Sequence, residues 1–188
     1  MITSKSDYKQ YLKEDLIASE LYSHRHNLLY RLTDKRFKFY KSLRLTEYYT
    51  NCQGGVLAKC FRFRHHMLCE KYGWTIPINV FGKGLAIVHS GTIVVSSHAR
   101  IGEYCRIHVC VNIGHAISHG ASGAPCIGNS CYIGPGAKIF GPINIGDNVA
   151  IGANAVVNKS FTEGNCTIAG IPARQISNKT SLTYIVKE

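Results

Sequence analysis

Proton-transfer chemistry is available to this chain chiefly at His89, in the stretch Gly82-Lys-Gly-Leu-Ala-Ile-Val-His-Ser-Gly-Thr-Ile-Val-Val95. An imidazole titrates near neutrality and can take the proton of a hydroxyl, turning that oxygen into a nucleophile. A histidine standing alone in a turn is as readily a hydrogen-bonded structural residue, so its surroundings carry the weight. His115 and His119 lie in a stretch rich in Gly, Ser and Ala, 115–125, and could assist an acceptor or hold a donor molecule. His98 and His108 fall on turns or outward faces, and His65 and His66 sit beside Arg62 and Arg64 and read as basic surface.

The eight cysteines include no Cys-x-x-Cys pair, and Cys105 with Cys110 and Cys126 with Cys131 are the nearest neighbours. A zinc site is not expected, and no other metal is. Cys105 and Cys131 occupy small, inward positions of the repeat described next, where a thiol acts as a compact apolar side chain, and all eight are expected to be reduced.

The element that must position His89 is a repeat. An aliphatic residue returns at every sixth position from Ile127 through Ile133, Ile139, Ile145 and Ile151 to Val157, and an earlier run, Val95, Ile101, Ile107 and Ile113, keeps the spacing. A period of six fits neither a helix nor an alternating strand; it predicts a parallel β-helix whose stacked coils bury the anchors in one core. In the run from Ile127 to Val157 glycine follows four of the anchors, at Gly128, Gly134, Gly146 and Gly152, and is expected there to relieve a turn that needs positive φ. The phase slips by two between Ile93 and Val95, and 14 residues separate Ile113 from Ile127, so a loop leaves the coil between them. Long excursions from a rigid scaffold are a usual place for function.

Three helical runs precede the repeat: one or two amphipathic helices from Lys5 to about Tyr30, a second run capped by Thr33 or Asp34, and a third ending at Gly73. The expected organisation is a helical cap over 1–73, a solenoid over 74–176 and a polar tail over 177–188 outside it, mainly β overall. Residues 1–75 hold 14 Lys and Arg against 7 Asp and Glu, part of a formal charge of +11. Such a surplus, with Lys35, Arg36, Lys38, Lys41 and Arg44 in it, suits an anionic glycan, an anionic membrane or a lipid-linked glycan; no nucleic-acid motif accompanies it. No apolar run approaches the roughly 20 residues that span a bilayer, and the first 20 are polar, so the protein is expected in the cytoplasm.

The six-residue anchors, the His-Ser-Gly and Ile-Val-Val around His89, the loop after Ile113-Gly114 and the closing Ala169-Gly-Ile-Pro-Ala-Arg174 together resemble the hexapeptide-repeat acyltransferases, nearest to their serine acetyltransferase-like branch, which includes polysaccharide O-acetyltransferases. The resemblance covers about residues 74–176. It implies a left-handed parallel β-helix, a homotrimer with active sites between subunits, acetyl-CoA as the co-substrate and His89 as the general base. By the family pattern Gly134, Pro135, Gly152 and Ala153 would line the pantetheine arm, Lys159 or Arg174 would meet a phosphate, and backbone amides would hold the oxyanion.

The chain also departs from that pattern. Serine acetyltransferases carry Asp just before the histidine and an Arg-His pair before a proline at the loop's end; here those positions hold Val88, and Gly123 with Ala124 before Pro125. No Asp or Glu occurs between Glu70 and Glu103, so a backbone carbonyl or a side chain such as Asn79 is expected to fix the tautomer of His89. The missing charged groups lead to the expectation of a sugar hydroxyl as acceptor, in surface (capsular or exo-) polysaccharide biosynthesis. The alternatives are serine O-acetylation in cysteine biosynthesis and a non-catalytic scaffold.

Overall fold

The structure, a computed structural model, describes residues 1–118 and 121–187. His119, expected in the loop, lies outside the described residues.

The chain opens with helices whose starts are chemically marked. The Ser4 hydroxyl accepts from the Asp7 amide at the start of α1 (Lys5–Ala18), and Asn27 does the same for Tyr30 at the start of α2 (Leu28–Thr33). The Asp34 carboxylate accepts from the Phe37 amide at 2.9 Å and caps α3 (Lys35–Tyr48). A short π turn, Tyr49–Gln53, then leads to α4 (Gly55–Tyr72), which Gly73 ends in the left-handed conformation at φ 69°. Helix α3 packs between α1 and α4 and buries Phe37, Phe39, Tyr40 and Leu43. No helix of the described residues is long and apolar enough to cross a membrane.

This central position of α3 corrects the expected basic face. Arg44 is fully buried, and Arg36, Lys38 and Lys41 are half-buried. His65 also turns inward, its Nε2 lying 3.0 Å from the Ile76 carbonyl oxygen.

Arg44 instead ties the cap to the first coil. Its guanidinium donates to Asp15 Oδ2 and Oδ1 at 2.7 and 3.1 Å, to Glu47 Oε2 at 2.9 Å, and to the carbonyl oxygens of Phe81 and Gly82 at 3.1 and 2.7 Å. The backbone N–H groups of Leu85 and Asn79 donate to the same two carboxylates at 2.9 and 2.8 Å. Every N–H of the guanidinium is used, which is the condition for keeping a charge in a core.

From Trp74 the chain winds a left-handed parallel β-helix with three sheets. The first stacks Trp74–Thr75, Ile93–Val95, Asn112–Gly114, Lys138–Phe140 and Val156–Val157. The second stacks Ala86–Ile87, Arg106–Ile107, Tyr132–Ile133, Ala150–Ile151 and Thr167–Gly170, closed by antiparallel Ala173–Ser177. The third stacks Arg100–Ile101, Cys126–Ile127 and Asn144–Ile145, with single bridges from Phe81 and Phe161. The anchors point inward and are at most 5% exposed, and Cys105 and Cys131 fill small inward positions beside them. The two-residue slip is absorbed in one strand: Ile93 pairs with Trp74, Val95 with Ile113, and Val94 between them faces out.

The glycines after the anchors serve a different purpose from the one expected. Positive φ falls two positions later, at Tyr104, Cys110, Ser130, Gly136, Asn148 and Asn154. At Gly128 a Cβ would meet Asp147 Oδ1 at 2.3 Å, and at Gly134 the Ile151 carbonyl oxygen at 2.7 Å. These glycines let one coil lie close on the next.

The tail does not leave the solenoid. After Ser177 it turns back over the second sheet, where the buried Ser181 hydroxyl donates to the Ser130 carbonyl and the Lys187 ammonium reaches Ser130 Oγ at 2.8 Å.

Candidate functional site

His89 lies just past the second-sheet strand Ala86–Ile87, on the corner where the chain turns toward the first sheet, and its side chain is exposed. The ladder fixes what lies below it. The amides of Val88, His108, Gly134 and Gly152 donate in turn to the carbonyls of Ile107, Ile133, Ile151 and Ile168, at 2.8 to 3.2 Å. Four coils therefore bring His89, His108, Gly134 with Pro135, and Gly152 with Ala153 onto one corner. With adjacent strands about 4.8 Å apart, His89 stands roughly 10 Å above the level of Gly134.

The two expected phosphate ligands are separated. Arg174 pairs in register with Ala169, which packs against Gly152, so it continues the same corner and is exposed there. Lys159 follows a first-sheet strand and lies over the Phe161 ring at 5.4 Å, on another corner.

The loop histidine is not beside His89 within the chain. His115 follows the first-sheet strand Asn112–Gly114, its ring 5.6 Å from that of His98 and its Nε2 3.3 Å from Ser122 Oγ. The loop forms a hairpin, Ala116–Ser118 against Ala121–Gly123. Asn79 is likewise elsewhere, which corrects its expected role. Its side-chain amide exchanges hydrogen bonds with Asn51 at 2.9 Å under the cap and is not available to orient His89.

Sequence reasoning gave no role to His108, whose ring stands 5.9 Å from that of His89 at an interplanar angle of 65°. Behind it come Tyr132 at 5.0 Å and Tyr184 of the tail, 4.5 Å beyond Tyr132. With Glu20 and Arg106 these residues line a cleft of about 330 Å³. The Nε2 of His108 is buried without a hydrogen-bond partner, and burial, with the charge of Arg106, pushes its pKa below the usual histidine range. A signal was present in the sequence: His108 fills the position after its anchor that is glycine at Gly128, Gly134, Gly146 and Gly152.

A larger hollow, about 900 Å³, lies on the outer face of the third sheet, lined among others by Tyr11, Arg100, Glu103 and Asn129. Among the described residues no histidine lines it, so size alone does not locate the proton-transfer chemistry.

No family model matches the chain. It is 38% identical over 95 residues to the serine acetyltransferase of Synechococcus elongatus, covering 50% of this chain and 38% of that one. Against the serine acetyltransferase of Helicobacter pylori J99 the identity is 36% over 96 residues, 51% of this chain and 56% of that one. The crystal structure of Neisseria gonorrhoeae serine acetyltransferase superposes with a TM-score of 0.72 at 26% identity, covering 93% of this chain and 70% of that one. The chain spans between 38 and 56% of the length of these two sequence relatives.

These likenesses support the hexapeptide-repeat acetyltransferases and overturn the expectation of a sugar acceptor in polysaccharide synthesis, because the relatives and neighbours are serine acetyltransferases. The expectation rested on side chains missing at Val88, Gly123 and Ala124. An absent clamp at aligned positions does not say what binds there. The glycan and membrane contacts inferred with it lose their support, as does the basic face that was to make them.

Proposed function

We propose that this chain is an acetyl-CoA-dependent O-acetyltransferase whose acceptor is the hydroxyl of serine, with His89 as general base. The observation that carries the reading is the single corner that aligns an exposed histidine with a column of small residues and a terminal arginine, on a coil similar to serine acetyltransferases. His89 takes the proton of the acceptor hydroxyl as the oxygen attacks the thioester carbonyl. The C–S bond then breaks, and the departing thiolate takes that proton from His89. The pantetheine arm runs along Gly134, Pro135, Gly152 and Ala153, where no bulky side chain stands in its path. The test is release of thiol from acetyl-CoA that depends on added serine; release with no dependence on serine would remove the acceptor assignment.

Arg174, at the foot of that corner, is the phosphate contact in this reading. Arg174→Ala is expected to raise the KM for acetyl-CoA about 10-fold, the scale of one exposed charge-assisted contact, with kcat little changed. Lys159→Ala is expected to leave both constants as they are, and the reverse pattern in steady-state kinetics would move the nucleotide to the other corner.

The working form in this reading is a trimer. His89 and His115 occupy different corners of two successive coils, and packing β-helices side by side about a threefold axis sets unlike corners against each other. Light scattering should give three times the chain mass of 20.8 kDa, and a monomer at micromolar concentration would contradict a shared site.

A further inference from the structure

Among the described residues His89 has no carboxylate or carbonyl partner: Val88 precedes it, and the amide of Asn79 is engaged by Asn51. A general base works best when its second nitrogen is held, because that bond selects the tautomer and aims the ring. We propose that His108 is the positioning residue for His89, its imidazole accepting the hydrogen bond from the His89 N–H that faces away from the acceptor hydroxyl. This inference rests on the reading of His89 as the base.

Three observations carry it. The rings stand edge to face with centroids 5.9 Å apart, and the exposed His89 ring has room to turn the remaining fraction of the way. Catalytic hydrogen bonds are commonly long before substrates bind and tighten in the complex. Second, the His108 Nε2 is buried and unpartnered. A buried polar atom left unsatisfied is costly and calls for an explanation. Third, the ring is held from behind by Tyr132, itself covered by Tyr184 of the tail, so a contact made on its free side has a fixed direction.

The surrounding charges suit an acceptor. Arg106 and Glu20 line the same cleft, with Arg106 Nη1 3.9 Å from Glu20 Oε1, and burial pushes the Tyr132 hydroxyl above its usual range, so that it stays neutral. Burial and Arg106 both hold His108 in its neutral form, the form with a nitrogen lone pair to offer. The proton moves from hydroxyl to His89 and on to the thiolate, and His108 gains and loses none.

The experiment compares kcat and KM for His108→Phe and His108→Asn with His89→Ala in the full-length protein, using acetyl-CoA and serine. Phenylalanine keeps the ring contacts with His89 and Tyr132 but has no nitrogen, whereas the asparagine amide oxygen can accept. The expected result is a fall in kcat of about 10- to 100-fold for the Phe variant at unchanged KM, largely recovered in the Asn variant. Full activity in His108→Phe, or an Asn variant no better than Phe, overturns the proposal. Should a variant fail to fold, the unaltered protein in a dead-end complex with CoA and serine gives a second readout by 15N NMR. One His89 tautomer supports the contact, and an even mixture overturns it. If His89→Ala keeps full activity the base assignment itself fails; if it is inactive while His108→Phe is unimpaired, only the positioning role fails.

Discussion

Replacing His89 by alanine is expected to lower turnover by about 100- to 10,000-fold, the usual worth of a general base, with the KM for acetyl-CoA little changed. The expected split between the constants follows from the corner. Gly134, Pro135, Gly152 and Ala153, the path proposed for the arm, lie two and three coils below His89, so removing the imidazole leaves that path intact. Steady-state kinetics on the purified variant checks it. His115→Ala is expected to cost less, because that ring packs with His98 on another corner. If the His115 change proves the larger, the base lies in the loop. Unchanged turnover in His89→Ala would falsify the assignment, and no serine-dependent turnover in either form would favour a scaffold without catalysis.

Replacing Arg44 by alanine is expected to destabilise the fold by about 3–5 kcal/mol, the scale of breaking a buried ion pair from one side. Asp15 and Glu47, exposed by 0 and 2%, would be left as two buried carboxylates without their counter-charge, and the carbonyls of Phe81 and Gly82 would lose their donors. Denaturant unfolding at neutral pH checks the magnitude. The sign of its pH dependence is also fixed. Burial, and secondarily the charge of Glu47, already raise the Asp15 pKa in the folded state, and without Arg44 nothing of opposite charge opposes them. The penalty is therefore full above the folded-state pKa of Asp15 and fades as the pH falls through it toward the unfolded value. A loss under about 1 kcal/mol would mean that the cap is held by its apolar contacts alone, such as Phe39 against Trp74 at 5.0 Å.

The coil was legible because its core is written locally. Each anchor from Ile127 to Val157 is buried by the same turn geometry, so one period in the sequence reports one repeated environment. The cap of α3 was legible in the same way, since Asp34 and Phe37 meet across three residues. What escaped is contact between distant segments. Arg44 reads as a surface cation until its partners are seen 29 residues upstream at Asp15 and 38 downstream at Gly82. The pairing of Asn79 with Asn51 spans 28 residues, and it removed a residue that had seemed free. His108 was missed because Val88, one residue before His89, shares its register position, so the hexad spacing alone does not pair the two histidines. The purpose of the glycines was misread for a related reason: the turn's positive φ lies two positions later, while the crowding at Gly128 comes from Gly146 and Asp147 of the next coil.

The acceptor was the part least legible in the sequence. Missing charges at Val88, Gly123 and Ala124 argued against free serine, and relatives that match over half the chain argue for it. The measurement that decides most directly is the stoichiometry of the reaction with acetyl-CoA and serine, counting free thiol and acetylated serine together. One O-acetylserine, identified by mass, is expected for each thiol released, with loss of both in His89→Ala. Thiol released without acetylated serine, or no release at all from a folded protein, would contradict it.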